Sequence, residues 1–84
     1  MSSVQDSIKT FIQTELAVGL TRDIAPDEDL FTSGILDSLA ILQLVMFVEE
    51  NFSIEVLDSD VVFENFHSVQ AIEGYIKERE AQGS

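Results

Sequence analysis

Gly34-Ile35-Leu36-Asp37-Ser38-Leu39-Ala40-Ile41-Leu42-Gln43-Leu44-Val45-Met46-Phe47-Val48 carries the chain from an irregular polar stretch into a long apolar helix. Asp37 suits the N-cap, because its carboxylate can accept the orphan N–H groups of a first helical turn. The pattern therefore predicts a helix from about Ser38 to Asn51. At about 100° per residue, Ile41, Leu44, Val45, Val48 and Phe52 fall on one face, the expected core face. Leu39, Leu42 and Met46 form a second apolar strip on another side, bordered by Gln43, Glu49 and Glu50. A single core face has no need of that strip. Ser38 stands at its top, next to an aspartate, and no other part of the chain is laid out so well for covalent chemistry.

On the amino-terminal side, Val4, Ile8, Phe11, Ile12 and Leu16 recur as one helical stripe, predicting a helix from about Ser3 to Ala17. Ser2 and Gln5 fit a capping box, Asp6 lies in the first turn where the dipole favours an anion, and Gly19 is the expected stop. Residues 19 to 36 form a long connection holding Pro26, the acidic run Asp27-Glu28-Asp29 and Gly34. Loops of this length are uncommon in small domains unless functional or packed down. Leu20, Ile24, Leu30, Phe31, Ile35 and Leu36 are available to anchor this one.

On the carboxyl-terminal side, residues 53 to 58 read as a connector with Ile54 and Val56 turned inward. A short helix from about Ser59 to Asn65 can be capped by Ser59 or Asp58. Ser68 caps a last helix with Val69, Ile72, Tyr75 and Ile76, running to about Glu80, and Gly83-Ser84 should fray. The expected fold is all-α: a single domain over residues 1–84, a small antiparallel four-helix bundle of three longer helices and one short one, with a long loop between the first and second.

Composition narrows the function. Sixteen acidic residues face four basic ones among 84 residues, a net charge of −12. Such a chain repels phosphate backbones, so nucleic acid is not an expected partner. The charge suits brief docking on basic patches of partner proteins. An apolar content of 45% argues for a folded chain. With no cysteine, neither a disulfide framework nor a thiolate metal site is available. The amino terminus has no basic region followed by an apolar one, and no apolar run is long enough for a span, so a cytoplasmic monomer without membrane insertion is expected.

Two other serines follow an aspartate and serve as internal controls. Ser7 falls within the first helix, and Ser59 lacks a following apolar residue and reads as a cap. His67, the only histidine, lies in a different element from Ser38, and nothing orients its ring to complete a triad. Neither acidic cluster, Asp27-Glu28-Asp29 or Asp58-Ser59-Asp60, matches the spacing of a calcium loop, so no metal site is expected. The bulk of Phe47, Phe63 and Phe66 is expected to fill the space between the helices, leaving little room there for a long apolar chain.

Asp37-Ser38-Leu39, preceded by Leu30-Phe31 and Gly34, resembles the phosphopantetheine attachment motif of acyl, aminoacyl and peptidyl carrier proteins. The likeness continues through Gln43-Leu44-Val45-Met46 and Glu49-Glu50-Asn51-Phe52. It resumes at Glu64-Asn65-Phe66-His67-Ser68-Val69-Gln70-Ala71-Ile72, and it covers nearly the whole chain. The resemblance implies that Ser38 receives 4′-phosphopantetheine from coenzyme A through a phosphopantetheinyl transferase, with Asp37 assisting near that enzyme's magnesium. The arm's thiol would hold an acyl or aminoacyl group as a thioester, and the chain itself would catalyse nothing. The implied partners are an acyl- or aminoacyl-loading ligase and a downstream acyltransferase or synthase, in a specialised lipid, polyketide or nonribosomal-type pathway. Docking is implied along the second helix, through Leu42, Gln43, Met46, Glu49 and Glu50. Ala40, Ile41 and Gln43 stand where carriers of fatty acid synthesis often place acids, which shifts weight toward a specialised acyl carrier or an aminoacyl carrier. A non-covalent acidic adaptor is the reading outside the family.

Overall fold

Asp37 begins the second helix as its sequence requires. In a computed structural model describing residues 3–17 and 23–83, its backbone is extended and its carboxylate accepts from the N–H groups of Leu39 and Ala40. Helix α2 then runs Ser38–Phe52, and Ser53 ends it in the left-handed conformation (φ 54°). The other helices are α1 (Ser3–Phe11), α3 (Phe63–Phe66) and α4 (Val69–Gly83). There is no strand among the described residues. The connector at 53–56 is irregular, with Ile54 half-buried and Val56 buried.

One hydrophobic core joins all four helices and the long loop. Ile8 and Ile12 come from the first helix, Ile24, Leu30 and Leu36 from the loop, Leu44 and Val48 from α2, and Phe66 from α3. Val69, Ile72, Tyr75 and Ile76 come from α4. Ile41, Val45 and Phe52 pack against this cluster half-buried, so the expected core face of α2 is the face that is used. Truncating a fully buried member such as Leu44 to alanine costs about 2–5 kcal/mol, through lost burial and the cavity left behind.

The loop is pinned to the corner between α3 and α4. The Leu30 N–H donates to the His67 carbonyl (2.7 Å) and the Gln70 N–H to the Pro26 carbonyl (2.9 Å). Within the loop, the Asp29 carboxylate accepts from the N–H groups of Phe31 and Thr32, and the Ser33 hydroxyl donates to Glu28. These bonds satisfy backbone groups that no helix can.

Three local expectations differ from the structure. The first helix is α only to Phe11 and continues as a wider π turn over Ile12–Leu16. There the Thr14 hydroxyl donates to the Thr10 carbonyl at 2.8 Å and competes for the regular helical acceptor. The Gln5 amide donates to Glu73 of α4 (2.7 Å) and ties the first helix to the last. The expected helix from Ser59 to Asn65 divides into a 3₁₀ turn, Asp58–Asp60, and the single turn of α3, and neither Asp58 nor Ser59 caps it. Asp60 is held elsewhere: its carboxylate accepts from the Tyr75 hydroxyl and its carbonyl from Asn65, while Val62 turns extended. Finally, α4 continues past Glu80 to Gly83, and Ser68 caps it by accepting from the Ala71 N–H (3.1 Å). The expectations for Ser2, Gly19, Leu20 and Ser84 lie outside the described residues.

Candidate functional site

Asp37, Ser38 and Leu39 are all exposed at the amino terminus of α2. Asp37 Oδ1 accepts from Leu39 N at 3.1 Å and from Ala40 N at 2.8 Å, and its carbonyl receives the Ile41 N–H at 3.0 Å. These three bonds fix where the helix starts, and so where the Ser38 hydroxyl stands. The approach is fixed by Gly34, whose φ of +81° disfavours any side chain. A Cβ at Gly34 would meet nothing within 4 Å. The glycine is therefore required for its left-handed backbone and not for a close approach of chain segments.

Ser38 and Asp37 line a cleft of about 450 Å³, together with Phe31, Ile41, Val61, Val62, Phe63 and Phe66. This corrects the expectation that phenylalanines fill the space. Phe66 is fully buried, but Phe63 is half exposed and forms a wall of the cleft. Phe47 lies elsewhere, stacked on Phe11 at 4.2 Å between ring centres. Phe63 holds its position because Phe31 and His67 flank it, at 5.7 and 5.0 Å. His67 is therefore one ring removed from the cleft, in a structural role. Sequence reasoning found each of these rings but not their row. The spacing of Phe63 and His67, one helical turn apart, was the available signal.

The strip on the outer face of α2 is open to solvent. Leu39, Leu42 and Met46 retain 65%, 57% and 60% of their accessible surface. Gln43 and Glu50 beside them are exposed. Glu49 differs from its expected neighbours: it is half-buried and its carboxylate accepts the Val56 N–H at 2.9 Å, stapling the connector to α2. Ser7 lies inside α1 and Ser59 in the 3₁₀ turn, both exposed and neither heading a long helix. No group of three histidine or acidic side chains that could hold a metal occurs among the described residues.

The arrangement fits a phosphodiester carrying a long neutral arm. The hydroxyl of Ser38 is accessible, and a phosphate on it would lie at the positive end of a 15-residue helix. Asp37 already occupies the N–H groups of Leu39 and Ala40, so the phosphate would meet the helix field and not those two donors. The cleft beside Ser38 supplies apolar walls for an arm.

Comparison with known proteins agrees with this geometry. A family model described as "Phosphopantetheine attachment site" matches residues 6–76. The chain is 37% identical over 78 residues to an acyl carrier protein of Buchnera aphidicola subsp. Baizongia pistaciae, covering 92% of this chain and 95% of that one. It is 40% identical over 52 residues to a D-alanyl carrier protein of Streptococcus uberis, covering 62% and 66%. Among solved structures, it matches a chain in the crystal structure of Bradyrhizobium japonicum glycine:[carrier protein] ligase complexed with glycylated carrier protein. That match has a TM-score of 0.74 and 27% identity, covering 87% of this chain and 97% of that one. The chain thus belongs to the phosphopantetheine-binding acyl and aminoacyl carrier proteins, whose cofactor is covalently attached 4′-phosphopantetheine.

Proposed function

We propose that this protein carries an acyl or aminoacyl group on a 4′-phosphopantetheine arm attached to Ser38, and that it presents the group to partner enzymes without catalysing a reaction itself. The observation that supports this reading best is the exposed Ser38 hydroxyl, heading α2 beside an apolar cleft. Attached there, the arm supplies a terminal thiol that holds the cargo as a thioester.

The chain's own residues do three things. Ser38 Oγ gives up its proton and forms the bond to the phosphopantetheinyl phosphorus of coenzyme A, whose nucleotide portion leaves. Asp37 fixes the start of the helix and places an acid beside that oxygen, where a transferase could use it near its magnesium. Leu42, Gln43, Met46 and Glu50, with Glu49 chiefly holding the connector, offer a docking face next to the tether. The partners are then a phosphopantetheinyl transferase, a loading ligase, and an acyltransferase or synthase that accepts the cargo, acting on a monomer in the cytoplasm. No helix among the described residues is long and apolar enough to cross a membrane.

Intact mass tests the tether. After incubation with coenzyme A and a broad-specificity phosphopantetheinyl transferase, the parent gains one arm and Ser38→Ala gains none. An arm on Ser38→Ala, or none on the parent, overturns the assignment.

An aminoacyl cargo is the second reading. It is favoured by the likeness to a D-alanyl carrier protein and to a chain from a crystal with glycylated carrier protein. A long fatty chain that the fold sequesters raises the melting temperature of the loaded protein, whereas a glycyl or alanyl group leaves it nearly unchanged.

A further inference from the structure

Tyr75 lies in the middle of α4, buried beside Ile72 and Ile76. It touches the chain between the 3₁₀ turn and α3 at two places. Its hydroxyl donates to Asp60 Oδ2 at 2.8 Å, and its ring centre lies 5.6 Å from that of Phe66. Asp60 and Phe66 are the two ends of a short span. That span supplies Val61, Val62 and Phe63 to the cleft beside Ser38, and Phe66 lines the cleft as well. One residue of α4 therefore holds both ends of a wall.

The two ends are held differently. Phe66 is fully buried, so packing secures its end. Asp60 is only half-buried and closes a three-residue turn, and α3 beyond it has four residues. Elements so short gain little rigidity from their own backbone. The bonds within the span are local. The Val62 N–H and the Asn65 side-chain amide both donate to the Asp60 carbonyl at 2.9 Å, and the Asn65 N–H donates to the Val62 carbonyl at 3.1 Å. They fix the shape of the span and not its distance from α2. Phe63 leans on Phe31 of the loop, yet Val62 and Phe63 stay largely exposed. Across the cleft, Ser38 and Ile41 belong to the 15-residue α2. One wall is thus part of a long core helix, and the other takes its position at the Asp60 end from the Tyr75 hydroxyl.

We propose that Tyr75 is a positioning residue for the loaded arm: through Asp60, its hydroxyl latches the wall formed by residues 60–66 against α2, and the latched wall shields the thioester from nucleophiles in solution. This rests on the reading of Ser38 as the tether. The arm begins at the rim of the cleft and can fold back between its apolar walls. Losing the bond to Asp60 frees one end of the wall while Phe66 keeps the other packed, so the wall swings aside and the fold survives. A hydrogen bond to a charged acceptor biases such a local opening by about tenfold. That bias is strong enough to shield the cargo at rest and weak enough for an enzyme to overcome.

Thiol exchange on the loaded protein tests the latch. The protein carries an octanoyl group on its arm and is mixed with excess 2-mercaptoethanol. The added thiol takes the acyl carbon, the arm's sulfur leaves as the free thiol, and intact mass follows the loss. Octanoyl-pantetheine, free in solution, sets the unshielded rate. The parent exchanges about twentyfold more slowly than that reference, and Tyr75→Phe only about threefold more slowly, as a tenfold rise in opening requires. Asp60→Ala behaves like Tyr75→Phe. Asp60→Asn keeps an acceptor for the hydroxyl and stays within about twofold of the parent. Ile8→Val trims a buried side chain of α1 at a comparable cost in stability, and it too stays within about twofold of the parent. A Tyr75→Phe protein that shields its thioester like the parent overturns the proposal, and so does an Ile8→Val protein that loses as much shielding as Tyr75→Phe. A parent that exchanges at the reference rate overturns it as well, while the arm already seen by mass on Ser38 leaves the tether standing. Failure of the parent to accept an arm defeats the Ser38 reading itself.

Discussion

Asp37-Ser38 and Asp58-Ser59 are the same dipeptide with opposite fates. Asp37 accepts two backbone N–H groups and opens a helix of 15 residues. Asp58 opens a 3₁₀ turn of three residues with no side-chain cap. The dipeptide does not make the difference. After Ser38 comes a run to Val48 that is apolar at every position but Gln43 and can bury one face in the core, so a cap there stabilises an element with something to gain. After Ser59 comes Asp60, drawn toward Tyr75, and then two β-branched valines that break the turn. The long, core-anchored helix behind Ser38 holds that hydroxyl in one place and leaves it exposed, as the proposed tether requires.

The largest effect tests that contrast directly. Ser38→Ala abolishes arm attachment by intact mass, whereas Ser59→Ala and Ser7→Ala load at the parent rate. Loading lost in Ser59→Ala would break the comparison. The caps come next. Asp37→Ala lowers stability by about 1–2 kcal/mol in urea titration, because the Leu39 and Ala40 N–H groups lose their acceptor. Asp58→Ala changes stability by less than about 0.5 kcal/mol.

The same contrast explains what could be read from sequence. The span of α2, its cap, its core face and its exposed strip follow from local pattern, and the structure agrees within one residue at the carboxyl end. The cap of α4 by Ser68 and the burial of Ile24, Leu30 and Leu36 were legible for the same reason. The division of the third helix was not, because bonds to residues far along the chain decide it. Tyr75 reaches back to Asp60, and Arg79 to the Glu55 carbonyl. The cleft was illegible because the ring of Phe63 takes its place from Phe31, more than thirty residues away in sequence. The resemblance marked Glu49 as a docking residue, yet only the folded connector shows it bound to the Val56 N–H.

The tertiary clamp at Asp60 gives a smaller effect than the local cap at Asp37. Tyr75→Phe removes the 2.8 Å bond to Asp60 and costs about 1 kcal/mol at neutral pH. The clamp also has its own pH signature. Burial, and then the hydrogen bond to Asp60, push the Tyr75 hydroxyl up to about 12. The neutral phenol is the form the fold favours. Its contribution is therefore complete below the unfolded value near 10 and is lost as pH climbs from 10 through 12. Thermal melts between pH 8 and 11.5 should fall more steeply for the parent than for Tyr75→Phe. Parallel curves would mean that the clamp does not hold the 3₁₀ turn.

Asp29 sharpens the comparison last, because it makes the same local bonds as Asp37 without a helix behind them. Its Oδ1 accepts from the N–H groups two and three residues on, Phe31 at 3.0 Å and Thr32 at 3.1 Å, as Asp37 accepts from Leu39 and Ala40. The Thr32 N–H outweighs the opposing effect of burial and, with smaller help from the Thr32 hydroxyl and the Phe31 N–H, holds its carboxyl below the usual carboxylate value. The charged form is the one the turn favours. Its contribution is present above the unfolded value near 4 and is lost as pH falls through the lower folded value. Asp29→Asn keeps an acceptor for both N–H groups but removes the titration. Amide exchange at Phe31 and Thr32, followed from pH 5 to 2.5, should accelerate in the parent beyond the intrinsic change and stay flat in Asp29→Asn. The rest of the core, measured at Leu44 and Ile72, should respond alike in both proteins. If exchange at Leu44 also separates the two, the turn is coupled to α2, and the long loop is part of what positions Ser38.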